Sequence, residues 1–247
     1  MIHVEASPGT HPTIDLGCGT LCTINYDSVL SSFIAAAVTI GIAFWIRSRL
    51  REGEPGRVQA IFEWGYDQLR GLIKTNVHEG AMFIIPLAMT LFLYILIANW
   101  IEILPLALFP AIHGANADLN QTLAMALVVI VVVQWYSVSV QGWRGYLRHF
   151  TKPFELPLVA RIVYTPLNIL EELVKPVTLS LRLFGNIFAG GIMIALIALL
   201  PAYLLWAPNI VWKLFDMFIG VIQAFIFMLL TVIYFGMARE GLEHEHK

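Results

Sequence analysis

Arg182 stands in the run LSLRLFGNIFAGG (179–191), where every other residue is apolar, small or neutral. The apolar sequence continues to Pro201, so the guanidinium has no short route to water. A cation near a bilayer centre costs about 2.5–3.5 kcal/mol even on lenient insertion scales, and arginine does not shed its proton. A residue of this type at this depth calls for an anion. One, two and three helical turns before it, on the same face, come Thr178, Lys175 and Glu171; Asn186 follows one turn after. Glu172 stands about 100° round the helix. The glutamates and the lysine also read as interfacial groups that snorkel to water, a reading too shallow for Arg182. Gly185, Ala189, Gly190 and Gly191 then give the helix a small-residue face that lets a neighbour approach closely.

The last apolar run offers the nearest polar groups. If it returns antiparallel after a turn centred on residues 202–204, Arg182 meets Gln223, Gly191 meets Asp216 and Glu172 meets Tyr234. Gln223 is neutral and Asp216 lies too far along to balance Arg182, so the missing anion is expected from another chain. Asn99 and Glu102, in ANWIEILP, read on pattern alone as an interfacial pair at the outer end of the second span. His113 and Asp118 read as loop residues, and Glu243 to His246 as a solvated tail. The chain has no phosphate-binding glycine loop, no HExxH and no Ser/His/Asp spacing. No catalytic residue, metal site or cofactor is expected.

The elements that hold these residues must be membrane helices. Of 247 residues, 58% are hydrophobic and 13% charged, with a mean hydropathy of +0.75; such a chain has lipid as its solvent. The net charge of −2 gives no footing for nucleic acid. Spans are expected at about 28–46, 81–108, 121–142, 160–200 and 208–237, with an amphipathic surface helix at 56–77. The chain is thus expected to be all-α and polytopic, one membrane domain (28–240) between an outer tail (1–27) and a short inner tail (241–247). The N-terminal stretch lacks a basic segment and is not expected to be a cleaved signal. Cys18 and Cys22 within it form a loop pair, a metal pair or two unlinked thiols.

Basic residues set the orientation. Arg47, Arg49, Arg51 and Arg57 follow the first span, and Arg144, Arg148, Lys152 and Arg161 follow the third. Loops 109–120 and 201–208 have none, which puts the N-terminus outside and the C-terminus in the cytoplasm. The run from 157 to 200 would reach ~65 Å as one helix, with Pro166 and Pro176 as points of bending or breaking. Two consecutive over-long helices imply steep tilt and a curved neighbour to wrap. No internal repeat appears, against an inverted-repeat transporter.

EELVKPVTLSLRLFGNIFAGG (171–191) with IQAFIFMLLTVIYF (222–235) closely resembles the subunit a family of F-type ATP synthases. The order of spans and the ILIANWIEILP segment extend the likeness loosely over residues 28–240. The resemblance implies a stator subunit packed against a rotating ring of small c-subunits, each carrying a membrane carboxylate, with b-type subunits of the peripheral stalk as further partners. The general look of the chain points to a bacterial plasma membrane. The family's essential arginine falls on Arg182, its asparagine on Asn186 and its final-helix glutamine on Gln223. Arg182, Gly185, Ala189 and Gly190 would face the ring. Asp216, Glu102 and Asn99 would line an outer half-channel; Glu171, Glu172 and Tyr234 a cytoplasmic one. Several family members carry glutamate where this chain has Gly191 and histidine where it has Asp216, so the role of Asp216 rests on the antiparallel pairing. The rival readings are an independent transporter whose arginine binds an anionic substrate, and a membrane subunit of a redox-driven pump. All seven histidines lie outside the span interiors, against haem ligation in the second.

Overall fold

The structure is a computed structural model that describes residues 13–15, 23–51, 55–76, 83–103, 116, 118–151 and 158–243. Two short strands, β1 (Thr13–Asp15) and β2 (Thr23–Asn25), pair antiparallel with Thr13 opposite Asn25. This small ribbon within the N-terminal tail had no signal in the hydropathy pattern. Cys18, Cys22, His113 and residues 244–247 lie outside the described residues. Six helices follow: α1 (Tyr26–Arg49), α2 (Arg57–Asn76), α3 (Ile84–Ile103), α4 (Leu119–Thr151), α5 (Leu158–Ile197) and α6 (Trp206–Glu243). All but α2 are long and apolar enough to cross a membrane.

In α1 burial is inverted relative to a helix of a water-soluble bundle. The buried positions of α1 are Asp27, Ser28, Ser31, Ala35, Thr39 and Ile46, while Phe33, Phe44 and Trp45 are exposed. With lipid outside, large apolar groups gain nothing from burial, and the polar and small stripe turns inward against α3. Ala35 packs there on Ala98 and Ile101. The helix α2 buries Leu69 and Ile73 and leaves Ile61 and Trp64 exposed, as fits a helix lying along an interface. Gln59 closes the turn before it, exchanging bonds with the Arg51 backbone at 3.1 and 3.2 Å.

The core joins Leu69 and Ile73 of α2 with Ile84, Ile85 and Ile95 of α3, Val129 and Val133 of α4, Leu179 and Leu183 of α5, and Phe227, Val232 and Phe235 of α6. The helix α6 rests chiefly on α3, and α5 chiefly on α4; α5 and α6 touch each other less. Pro166 and Pro176 both lie inside α5, which continues through them; neighbouring groups in membrane proteins commonly take up the freed carbonyl. The bend falls instead in α4, at Gly142 (φ 69°, ψ 163°), a backbone shape that favours glycine. Leu204 and Leu205 close the turn before α6 by donating to the Pro201 carbonyl at 2.9 and 3.2 Å.

Candidate functional site

The buried face of α5 is Pro176, Leu179, Ser180, Leu183, Ile187 and Gly190, the 3–4 spacing of a helix lying on a neighbour. Arg182 is on the other side. It is exposed, together with Gly185 and Ala189, and Asn186 is half-buried beside them. Leu181, Val177 and Phe188 around it are exposed too. Among the described residues no carboxylate pairs with Arg182.

Gly190 departs from the expectation that it faces a ring. It is buried beneath α6, where an added Cβ would lie 3.3 Å from both carboxylate oxygens of Asp216. Gly191, the expected partner of Asp216, has nothing within 4 Å. The antiparallel pairing is therefore one residue off, an error that a turn position alone leaves open. Gln223 also departs from expectation. It is 5% exposed, its Nε2 is buried without a partner, and no hydrogen bond joins it to Arg182. It points into the bundle while Arg182 points out.

On the α6 face that carries Asp216, Asn209 lies two turns before and Gln223 two turns after. Trp212 falls on the same face. Asn209 Oδ1, Trp212 Nε1 and Gln223 Nε2 are all buried and unpartnered, and Asp216 has no hydrogen bond or ion pair among the described residues. Gly220, between Asp216 and Gln223, admits Asn99 of α3: Asn99 Cβ stands 3.2 Å from where a Gly220 Cβ would be. Asn99 Nδ2 donates to the Gly220 carbonyl at 3.3 Å, and Asn116 Nδ2 donates to Asn99 Oδ1 at 2.8 Å. Asn116 Oδ1 is left buried and unpartnered. Glu102 falls on the last turn of α3, and its side chain is outside the described ones. Asp118, read as a solvated loop residue, is instead buried. It accepts from Asn25 Nδ2 at 2.6 Å and from the Asn120 N–H at 2.9 Å, which caps α4 and ties the ribbon to it.

At the other end the polar groups are tied to one another. Glu172 accepts from Gln134 Nε2 of α4 at 2.5 Å and from Lys175 Nζ. Glu171 stands 3.7 Å from the same ammonium. Lys175 lies over the Tyr234 ring, 5.7 Å from its centroid. Tyr146, beyond the α4 bend, has its phenol held above the usual range by burial, with the Glu172 charge adding to it.

A membrane-spanning helix that presents an unpaired arginine outward, beside a helix with a buried polar stripe, now has a sequence-wide counterpart. The family model of the ATP synthase A chain matches residues 29–236. The chain belongs to that family. Among its relatives, ATP synthase subunit a of Mycobacterium marinum is 46% identical over 234 residues, 91% of this chain and 90% of the relative. ATP synthase subunit a of Acidothermus cellulolyticus is 41% identical over 256 residues, 100% of this chain and 89% of the relative. This family member is a multi-pass, non-catalytic membrane subunit of the proton-translocating kind.

Sequence reasoning missed Asn116, Asn209, Trp212 and Gln134. A signal existed for Gln134, a lone amide in the apolar run VVIVVVQWYS (128–137). The same depth argument that singled out Arg182 applies to it.

Proposed function

We propose that the chain is the stator of a proton-driven rotary motor, and that Arg182 faces the membrane carboxylates of a rotating c-ring. The observation that carries this reading is the exposure of Arg182, unpaired, on an apolar helix face. A charge in lipid at that cost needs an anion that the described residues do not supply, and a passing carboxylate is one. Gly185 and Ala189, exposed on the same face, leave room for a close helix. The outward direction also argues against a transporter with a substrate cavity of its own.

In this reading a ring carboxylic acid arrives neutral and releases its proton into one half-channel. It then passes Arg182 as an anion, which the nearby cation favours, and reloads from the other side. The guanidinium stays charged throughout, so it blocks direct leakage and relays nothing. Asn209, Trp212, Asp216 and Gln223, with Asn99, Asn116 and Glu102, line the outer path; the unpartnered buried atoms of Asn209, Trp212, Gln223 and Asn116 are what water would bond. Glu171, Glu172 and Tyr234 line the cytoplasmic path. Asn186 sits beside Arg182 at the ring. The outer path opens at the N-terminal side and the inner one at the cytoplasmic face of a bacterial plasma membrane, with peripheral-stalk b-type subunits holding the chain against rotation.

The test is Arg182→Ala in membrane vesicles. Proton pumping and proton-driven ATP synthesis are expected to fall at least ~100-fold, the scale of removing a preorganised charge from a low-dielectric site, with the chain still assembled. Lysine is expected to rescue poorly, since a compact ammonium lacks the planar fork. Near-normal synthesis in the alanine variant overturns the reading.

A further inference from the structure

We propose that Lys175 is a positioning residue: it clamps α5 to α6 through the Tyr234 ring and to α4 through Glu172, and so fixes the height of Arg182 two turns further on. The inference rests on the proton-path reading of Arg182. Its own content is mechanical.

The ammonium joins two helices and holds the carboxylate that reaches a third. Lys175 Nζ donates to Glu172 of its own helix, and that carboxylate also takes the Gln134 bond from α4. The ammonium then stands 5.7 Å from the Tyr234 centroid on α6, within the ~6 Å over which a ring face attracts a cation. Only 14% of the Lys175 side chain is exposed, too little for a group that snorkels to water. A lysine suits the place because its three donors need no fixed plane.

The clamp matters because the two arms that carry the site lean on different neighbours. The helix α5 packs mainly on α4, and α6 mainly on α3. Where α5 and α6 do meet, the outer end is the Gly190–Asp216 approach. No side chain among the described residues holds the Arg182 guanidinium, so its position is set by where the α5 backbone stands. Lys175, on the same face and ~10 Å back along the helix, sets it from the cytoplasmic end. The clamp also divides the labour of the two adjacent glutamates. Glu172 is tied down and 25% exposed, whereas Glu171, on the longer contact with the ammonium, is 59% exposed and open to water.

The experiment uses the assembled complex in a cysteine-free background, with spin labels at Leu173→Cys on α5 and Met237→Cys on α6. The variants are Lys175→Met, Lys175→Arg, Tyr234→Leu and the Lys175→Met/Tyr234→Leu double. Lys175→Met is expected to broaden the inter-label distance distribution and to lower coupled pumping about fivefold, the upper end for a cation–ring contact that is not fully desolvated. Lys175→Arg is expected to keep the distribution narrow and most of the pumping. Tyr234→Leu should broaden it as much, and the double variant no further, because one contact is removed once. An unchanged distribution in Lys175→Met, an arginine variant as defective as methionine, or additive effects in the double each overturn the clamp. If Lys175→Met does not assemble, Tyr234→Leu carries the same decision. The distances are read without turnover, so they test the clamp even if Arg182→Ala refutes the proton path.

Discussion

The two ends of the α5–α6 pair treat their polar groups in opposite ways. At the end proposed to face the cytoplasm Glu172, Lys175 and Gln134 bond one another, with Tyr234 packed on the ammonium. At the end proposed to face outward Asp216 has no partner among the described residues, and Asn209, Trp212, Gln223 and Asn116 each keep a buried polar atom unbonded. Buried polar groups are ordinarily paired because leaving one unpaired costs about 1–3 kcal/mol. A row of four along one seam is therefore a feature to explain. In the proposed reading the tied end is also a structural joint, and the untied end a lining that water completes. Between them Arg182 is tied to neither, which suits a charge whose partner moves.

The largest effect that would break this comparison comes from Asp216. If the outer seam carries protons, Asp216→Asn slows transport by about 10- to 100-fold, up to the low end of what a positioned proton carrier contributes. It does so in both directions and without uncoupling, since Arg182 remains as the barrier. ATP-driven pumping and ATP synthesis in the same vesicles measure both directions. A fully active Asp216→Asn removes the acid from the path and leaves the seam without a function.

Much of this contrast was legible in the sequence, and the part that was not has physical reasons. Depth along an apolar run singles out Arg182, because no other residue there carries charge, and helical spacing puts Gly185 and Ala189 on its face. An antiparallel return brings Asp216 to the glycines of α5. The pairing is one residue off, since a turn of uncertain centre shifts facing positions by one and a helix turns about 100° per residue. The same turn rotates Gln223 inward, away from Arg182. Asn209 and Trp212 escaped notice because polar residues near a span's end read as interfacial until burial is known. The Lys175–Tyr234 contact needs the crossing of two helices, which no one-dimensional spacing contains.

A smaller effect sharpens the comparison. Asn209→Leu and Trp212→Phe each remove one buried hydrogen-bonding group from the seam while keeping its bulk. Each is expected to slow transport about two- to threefold, the low end for one ordinary hydrogen bond, and Gln223→Leu no more than about fivefold. Initial pumping rates at matched complex content give these ratios. The contrast with Arg182→Ala is the point: groups that only hold water are replaceable singly. A loss in Gln223→Leu equal to that in Arg182→Ala would show that the amide is part of the charge-bearing machinery and not of the lining.

The smallest effect decides the register on which the outer seam depends. A Cβ at position 190 would stand 3.3 Å from both Asp216 carboxylate oxygens and 3.4 Å from its Cγ, tighter than ordinary contact. Gly190→Ala must therefore displace the carboxylate or part the two arms. Position 191 has open space around it, and neither glycine has a positive φ. Alanine is the better helix former by about 1 kcal/mol, so Gly191→Ala is expected to leave transport unchanged and to raise thermal stability slightly. In Gly190→Ala that gain meets an overpacking cost of about 1 kcal/mol or more, and transport is expected to fall about twofold. Pumping rates and melting temperatures of the two variants, measured side by side, separate the cases. If Gly191→Ala is the more harmful, Asp216 lies against Gly191, as a turn centred on 202–204 implies. The outer seam would then be rotated by one residue, and Gly190 would return to the ring-facing side with Gly185 and Ala189.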